Sequence, residues 1–306
     1  MTPPKRSIFG TALLLLPMQI VFRAGEAALP LLIAMWFGRS KETDLYFLGA
    51  AFFVFAGSLV AASFQDSALV PILAELKAKD PAEVPRVAGS LLMHALVYGG
   101  GFALIVGAFA LGWAWLHSGD VSFAVARAMI VPFSLWMVAL GARSFFAGML
   151  NANGWYFAPP IASGLGMSAS LILLATLHTQ LGIVIVPIGS LVAEVVATLV
   201  LAFIAIRHAK LPLVLSLVRS EPVLRFWKLV AAAVAGATIT RINPIIDQLM
   251  ARFADVVGGG TLLRLAGDVA SVPTSLAQAA LFSVLLSQLS REVARGAYDE
   301  FASTLR

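Results

Sequence analysis

FGRSKETDLYFLGAAFFVFAGSLVAASFQDSALVPILAELK, residues 37–77, opens on a glycine and a polar, charged turn, continues through an apolar run from Leu45 to Leu73, and closes on Glu75 and Lys77. Asp66 is the single charge inside the run. A stretch of that kind exceeds the ~20 residues that carry a helix across a bilayer, so a tilted membrane span is expected. The glycine and the Ser/Thr/Asp set before the run give it a helix start, and the lysines after it place its far end in water.

The same pattern recurs on both sides. Apolar runs extend over Thr11–Phe37, interrupted by Arg23, Glu26 and Pro30, and over Val87–Leu116, Phe123–Leu150, Phe157–Leu177, Ile183–Ile206, Leu229–Phe253 and Val269–Leu289. Counted against a ~30 Å hydrocarbon core, this predicts an all-α, polytopic transmembrane bundle of about eight spans. The amino-terminal six spans form one lobe, 1–206; a basic connection, 207–228, contains LPLVLSLVRSEPVLRFW and reads as an amphipathic helix at the membrane surface; 229–306 holds two further spans and a tail.

Composition agrees: 60% of the 306 residues are hydrophobic and 12% charged, against roughly 45–50% and about 25% in soluble domains. Cysteine is absent, which excludes disulfides, cysteine-ligated metals and thiol nucleophiles. Lys5 and Arg6 precede the first run as in a signal peptide, but no clear cleavage site follows and more spans come after, so an uncleaved first helix is expected. The net charge of +5 is explained by topology rather than by nucleic acid. With the amino terminus in the cytoplasm, inner loops and tails carry about thirteen Lys and Arg and outer loops about four, which predicts a multi-pass membrane protein with both termini cytoplasmic.

FGRSKETDLYFLGAAF (37–52) and FQDSALVPILAELK (64–77) resemble the FG…TDAFF turn and the FVPxLAEYK ending of the second helix in the MurJ (MviN) family. LNANGWYFAPPIA (150–162), ITRINPIIDQLMARF (239–253) and VPTSLAQAALFSVLLSQLSR (272–291) are similar to the family's later loop and its seventh and eighth helices. The resemblance implies a flippase of lipid-linked oligosaccharide, such as the peptidoglycan precursor lipid II, working by alternating access between two lobes. It also implies fourteen helices in all. A chain of about eight is therefore expected either to be a fragment or to need a second copy or a separate second-lobe partner.

Charges inside spans cost about 2.5–3.5 kcal/mol each and usually face a bundle interior or a watery cavity. They are chiefly Arg23, Glu26, Asp66, Arg143, Glu194, Arg241 and Asp247. Arg23 and Glu26, three residues apart on one helix face, form either a neutralised ion pair or, by the resemblance, part of a cationic substrate cavity in which Arg23 attracts pyrophosphate. Asp44 is expected to cap a helix amino terminus and, in the flippase, to shape the outer gate. Arg241 joins the substrate set or pairs with Asp247. Asn243 and Asp247, flanking Pro244, make an oxygen-rich spot that in MurJ-like proteins contributes to a coupling cation site; sodium or a proton is the expected coupling ion, and no other cofactor is expected. Arg143 reads as snorkelling toward the inner face, Glu194 as a proton relay or a hydrogen bond to another helix, and Asp66 as solvated.

Departures from the family pattern accompany these matches. Leu29 and Pro30 stand where the first helix has an arginine and an acidic residue, Gly57 and Ser58 replace an arginine pair, and Asp268 and Ser271 replace an arginine and a glutamate. Three functions follow for comparison: lipid-linked saccharide transport, with an O-antigen or polysaccharide exporter as a variant; a non-transporting half-flippase serving as scaffold in envelope synthesis; and an intramembrane lipid enzyme. His94, His117, His178 and His208 show no metal-ligand spacing, and no catalytic constellation supports the third.

Overall fold

The computed structural model describes residues 25, 28–62, 68–116, 121–155, 157–211, 213–254 and 256–270. Among them there are helices and no strands. The helices are α1 (Ala28–Phe37), α2 (Lys41–Ala62), α3 (Val70–Lys79), α4 (Val84–Leu116), α5 (Phe123–Ala152), α6 (Ala158–Leu181), α7 (Ile185–Phe203), α8 (Glu221–Arg241) and α9 (Asn243–Phe253), with α10 over 259–270. The chain forms two compact units, 1–261 and 262–306. Of the second, 262–270 are described: helix, with Arg264 Nε donating to Asp268 Oδ2 at 3.1 Å.

Four helical runs are long and apolar enough to cross a membrane: Lys41–Leu59, Val84–Leu116, Phe123–Ala152 and Ala158–His208. The last holds two spans, because Gly182, at φ +58°, stops α6 and turns the chain into α7. These runs match the expected second to sixth spans. Of the first span the ten residues of α1 are described, and of the eighth only 269–270. The expected seventh span is two helices: Asn243 and Pro244 follow a bend at Ile242, since Pro244 has no N–H for a carbonyl one turn back. Glu221, Arg225 and Lys228 charge the first turns of α8.

Small residues set the packing. A methyl group on Gly166 of α6 would lie 2.3 Å from the Ala193 carbonyl oxygen of α7, and one on Gly189 of α7 would lie 2.8 Å from Ser170 Oγ of α6. The two pairs run in opposite order, so α6 and α7 are an antiparallel hairpin at close approach. Along α2, Gly49 faces Phe133 of α5 and Gly57 faces Trp136 and Leu140, the same order in both helices, so α2 and α5 run parallel.

Two apolar cores form at opposite ends of the bundle. Ile33, Phe53, Phe133, Leu174 and Ile185 centre the one near Gly38, Ser122 and Gly182. Leu69, Leu91, Phe145, Leu150, Leu201 and Phe226 centre the one near Lys77 and Asn153. Arg143 on α5 pairs with Glu194 on α7 through Nε and Oε2 at 2.5 Å, and both side chains are largely buried. Arg143 therefore turns into the bundle instead of snorkelling, and Glu194 takes the interhelical hydrogen bond. Thr198 joins them, donating to the carbonyls of Glu194 and Ala139.

The connection after α7 differs from the amphipathic helix expected of it. After Ala209, still in the helical region, and Lys210, at φ +49°, the chain leaves the helix, and residues 213–220 run without helix along the start of α4. Val214 N donates to Pro85 O at 3.0 Å and Ser90 Oγ donates to Val218 O at 2.8 Å. From 215 the exposure alternates, with Leu215, Leu217 and Arg219 outward and Ser216, Val218 and Ser220 half-buried. That is the period of a strand rather than of a helix. Glu75 on α3 then accepts from Lys79 and from Arg225 on α8, each at 2.7 Å.

Candidate functional site

Sequence reasoning spread its site residues along the membrane interior; the structure concentrates the organised polar chemistry at the Gly38 end. Arg23, Glu26, Asp66 and Ser271 lie outside the described residues, as does the Arg241 side chain. Asp44 is the centre of what remains.

Asp44 does cap a helix, but not its own. Ser40 starts α2, its Oγ accepting from Thr43 N at 3.1 Å and its carbonyl from Asp44 N at 3.0 Å. This leaves the Asp44 carboxylate free to point at another element. Its Oδ2 accepts from Gly258 N at 2.7 Å, and its Oδ1 accepts from Thr261 N and Thr261 Oγ1, both at 3.0 Å. Thr261 N belongs to the first turn of α10, whose leading N–H groups have no partner inside their own helix, so the carboxylate caps α10 from across the fold. Its charge also complements the positive end of the helix dipole.

The turn before α10 is shaped for this. Gly258 has φ +78°, and a methyl group there would lie 2.6 Å from both Cβ and Nε of Arg39, so conformation and space both require glycine. Arg39 Nη2 donates to Val257 O at 3.0 Å, and Gly259 N donates to Val256 O at 2.8 Å. Gln248 of α9 donates through Nε2 to Gly260 O at 3.3 Å. Arg39 and Asp44, five residues apart on the polar turn, thus hold one glycine turn by its carbonyl and its N–H groups.

The other candidates are placed differently. Asn243 and Asp247 are both exposed on α9. Two oxygen-bearing side chains fall short of the roughly six oxygens a hard cation takes, and among the described residues no three His, Asp or Glu side chains gather around a common point. Gly57 packs on α5, and Ser58 Oγ bonds back to Phe55 O at 2.8 Å, so the positions that replace the family's arginine pair are occupied by helix packing. His94 is buried with Nδ1 2.7 Å from Ser90 O, His178 stacks on Trp36 at 4.4 Å, and His208 meets the edge of Phe203; His117 lies outside the described residues. A cavity of about 240 Å³ at the Lys77 end, lined by Leu73, Val84, Ala88, Met149 and Leu211, is apolar but for Lys77 and Asn153, and is smaller than the ~300–1,000 Å³ of ordinary ligand pockets.

Sequence reasoning missed Gln248, Gly258 and Thr261. The glycine run was visible as a link, but nothing local marks it as the partner of a residue more than 200 positions earlier.

The family model for the lipid II flippase MurJ matches residues 7–306. Among solved structures, the chain is similar to one described as lipid II flippase MurJ in its inward closed conformation, with a TM-score of 0.70 and 20% identity. That match covers 92% of this chain and 59% of the other. No curated protein matches.

Proposed function

The chain belongs to the MurJ lipid II flippase family, and from that premise we propose that it moves a lipid-linked oligosaccharide of the lipid II type across the bacterial inner membrane by alternating access. The observation that carries this reading is the Asp44 latch: three hydrogen bonds accepted by one carboxylate fasten the Gly38 end to the Gly258–Thr261 turn. An alternating-access carrier needs an end that is closed in one state and released in another. A carboxylate that holds a glycine turn by N–H and hydroxyl groups meets that need, because water can replace all three donors when the turn moves away.

The charge bias puts the latch at the outer face and both termini in the cytoplasm. On this reading Arg23, Glu26 and Arg241 serve the pyrophosphate headgroup, since guanidinium forks suit phosphate oxygens. Asn243 and Asp247, at the start of the half-helix after the break, would contribute two oxygens to a coupling cation, the rest coming from elements beyond α10 or from a partner chain. Because this chain spans 59% of the matched structure, the second wall of the cavity belongs to such a partner, to a second copy or to further residues of the same protein.

A second reading, a non-transporting membrane scaffold, is favoured by the packed Gly57 and Ser58 where the family carries arginines. Growth rescue of a flippase-depleted strain separates the two. Transport predicts rescue by the chain, weakened by Arg23→Ala and unaffected by Arg127→Ala on the exposed start of α5; a scaffold predicts no rescue at equal membrane abundance. Reporter fusions at Ser40 and Arg86 test the topology, with Ser40 external and Arg86 internal.

A further inference from the structure

We propose that Gln248 is a positioning residue of the latch, holding the glycine turn so that its N–H groups meet Asp44; this rests on the reading of Asp44 as an outer latch. Gln248 is 6% exposed, whereas its α9 neighbour Met250 is 66% exposed, so the amide is turned inward on a helix that otherwise presents much of its length outward. Its Nε2 reaches Gly260 O, between the two residues that Asp44 holds.

The amide and the carboxylate flank the same residue. A methyl group on Gly260 would lie 2.7 Å from Gln248 Oε1 and 3.3 Å from Asp44 Oδ1. The orientation of the amide is fixed by chemistry: reversing it would set Oε1 against the Gly260 carbonyl, two acceptors with no proton between them. In the observed orientation Oε1 is buried and has no hydrogen-bond partner among the described residues. An unpaired buried acceptor destabilises a fold, so a side chain chosen only to fill space would be apolar. What glutamine adds over an isosteric apolar residue is the Nε2 donor, and that donor acts on the turn.

The test is backbone hydrogen exchange across 256–261, measured on the full chain in lipid nanodiscs, since the Gly258 and Thr261 N–H groups are the ones the latch protects. Gln248→Met keeps the volume and Gln248→Glu keeps the shape, and both lose the donor. Each is expected to exchange this segment about two- to tenfold faster than the parent, the range set by one hydrogen bond, with α5 unchanged. In an Asp44→Asn background the same substitutions should add little, because they act through the carboxylate.

A Gln248→Met variant that protects the segment as the parent does would overturn the proposal, as would equal effects in both backgrounds. If Gln248→Met fails to fold, Gln248→Leu, which also lacks the donor, and Gln248→Glu carry the same test. Exchange requires no cargo, so faster exchange in a chain that moves no saccharide would remove the transport reading and leave the role of Gln248 standing. Unchanged exchange in a chain that transports would remove that role alone.

Discussion

The two ends of the first unit are fastened by different chemistry. At the Gly38 end one carboxylate gathers two backbone N–H groups and a hydroxyl, in a part-buried setting beside Thr261, which is 1% exposed. At the Lys77 end the fastening is an extended strap hydrogen-bonded to α4 and an exposed ion pair between Glu75 and Arg225. The first gathers three side chains, Asp44, Arg39 and Gln248, on one glycine turn. The second is distributed along the backbone, and its ion pairs, Glu75 with Lys79 and Arg225 and Glu83 with Arg86, lie in solvent, where they contribute little. On the proposed reading the concentrated contact is the one that moves, and the strap is part of the frame.

The largest effect is expected where the frame leaves no room. A methyl group on Gly89 would lie 2.0 Å from the Val214 carbonyl oxygen, so Gly89→Val must lift the strap from α4. Loss of several degrees in melting temperature, on the order of 2–3 kcal/mol, is expected by thermal unfolding in detergent. An unchanged melting temperature would show that the strap is as releasable as the latch and would erase the contrast.

Asp44→Ala comes next, and it should divide stability from motion. Three donors lose their acceptor, two of them backbone groups, for an expected destabilisation of about 1–3 kcal/mol. The change should be local, with exchange of 256–261 accelerated and that of α4 and α5 retained. Acceleration spread evenly over the unit would make Asp44 a general structural residue.

The smallest effect belongs to Glu75. Its carboxyl is held below the ordinary carboxylate value, first by the hydrogen bond from Lys79 and further by the nearby Arg225 charge. A depressed value means that the contribution to stability is full above the unfolded carboxylate range, about pH 4.3 for Glu, and fades as pH falls through the lower folded value. Glu75→Gln should therefore leave stability at pH 7 nearly unchanged and flatten its decline on acidification. A large loss at pH 7 would place the Lys77 end under the control of one side chain.

Much of this frame was legible in the sequence. The second to sixth spans follow from long apolar runs that single charges do not end, whereas the seventh, read as one span, breaks before Asn243 and Pro244. The extended strap was hidden because its leucines and valines fit an amphipathic helix as well as a strand; what decides is the backbone of α4, laid open at Gly89. Arg143 and Glu194, separated by 51 residues, read as two isolated charges, and only the α5 and α7 contact makes them a pair. Asp44 stood out as a capping residue, and the chemistry was right. The turn it holds, just before that helix, lies 214 positions later, beyond any local signal.

Accessibility of the saccharide headgroup to an external, membrane-impermeant glycan-modifying enzyme, followed in spheroplasts of a flippase-depleted strain expressing the chain, tests the account most directly. The parent and Glu75→Gln should expose headgroup at equal rates, and Asp44→Ala at equal abundance should slow exposure about tenfold or more, the factor that ~1.4 kcal/mol of lost hydrogen bonding supplies. Headgroup exposure by Asp44→Ala at the parental rate, or none by the parent, would contradict it.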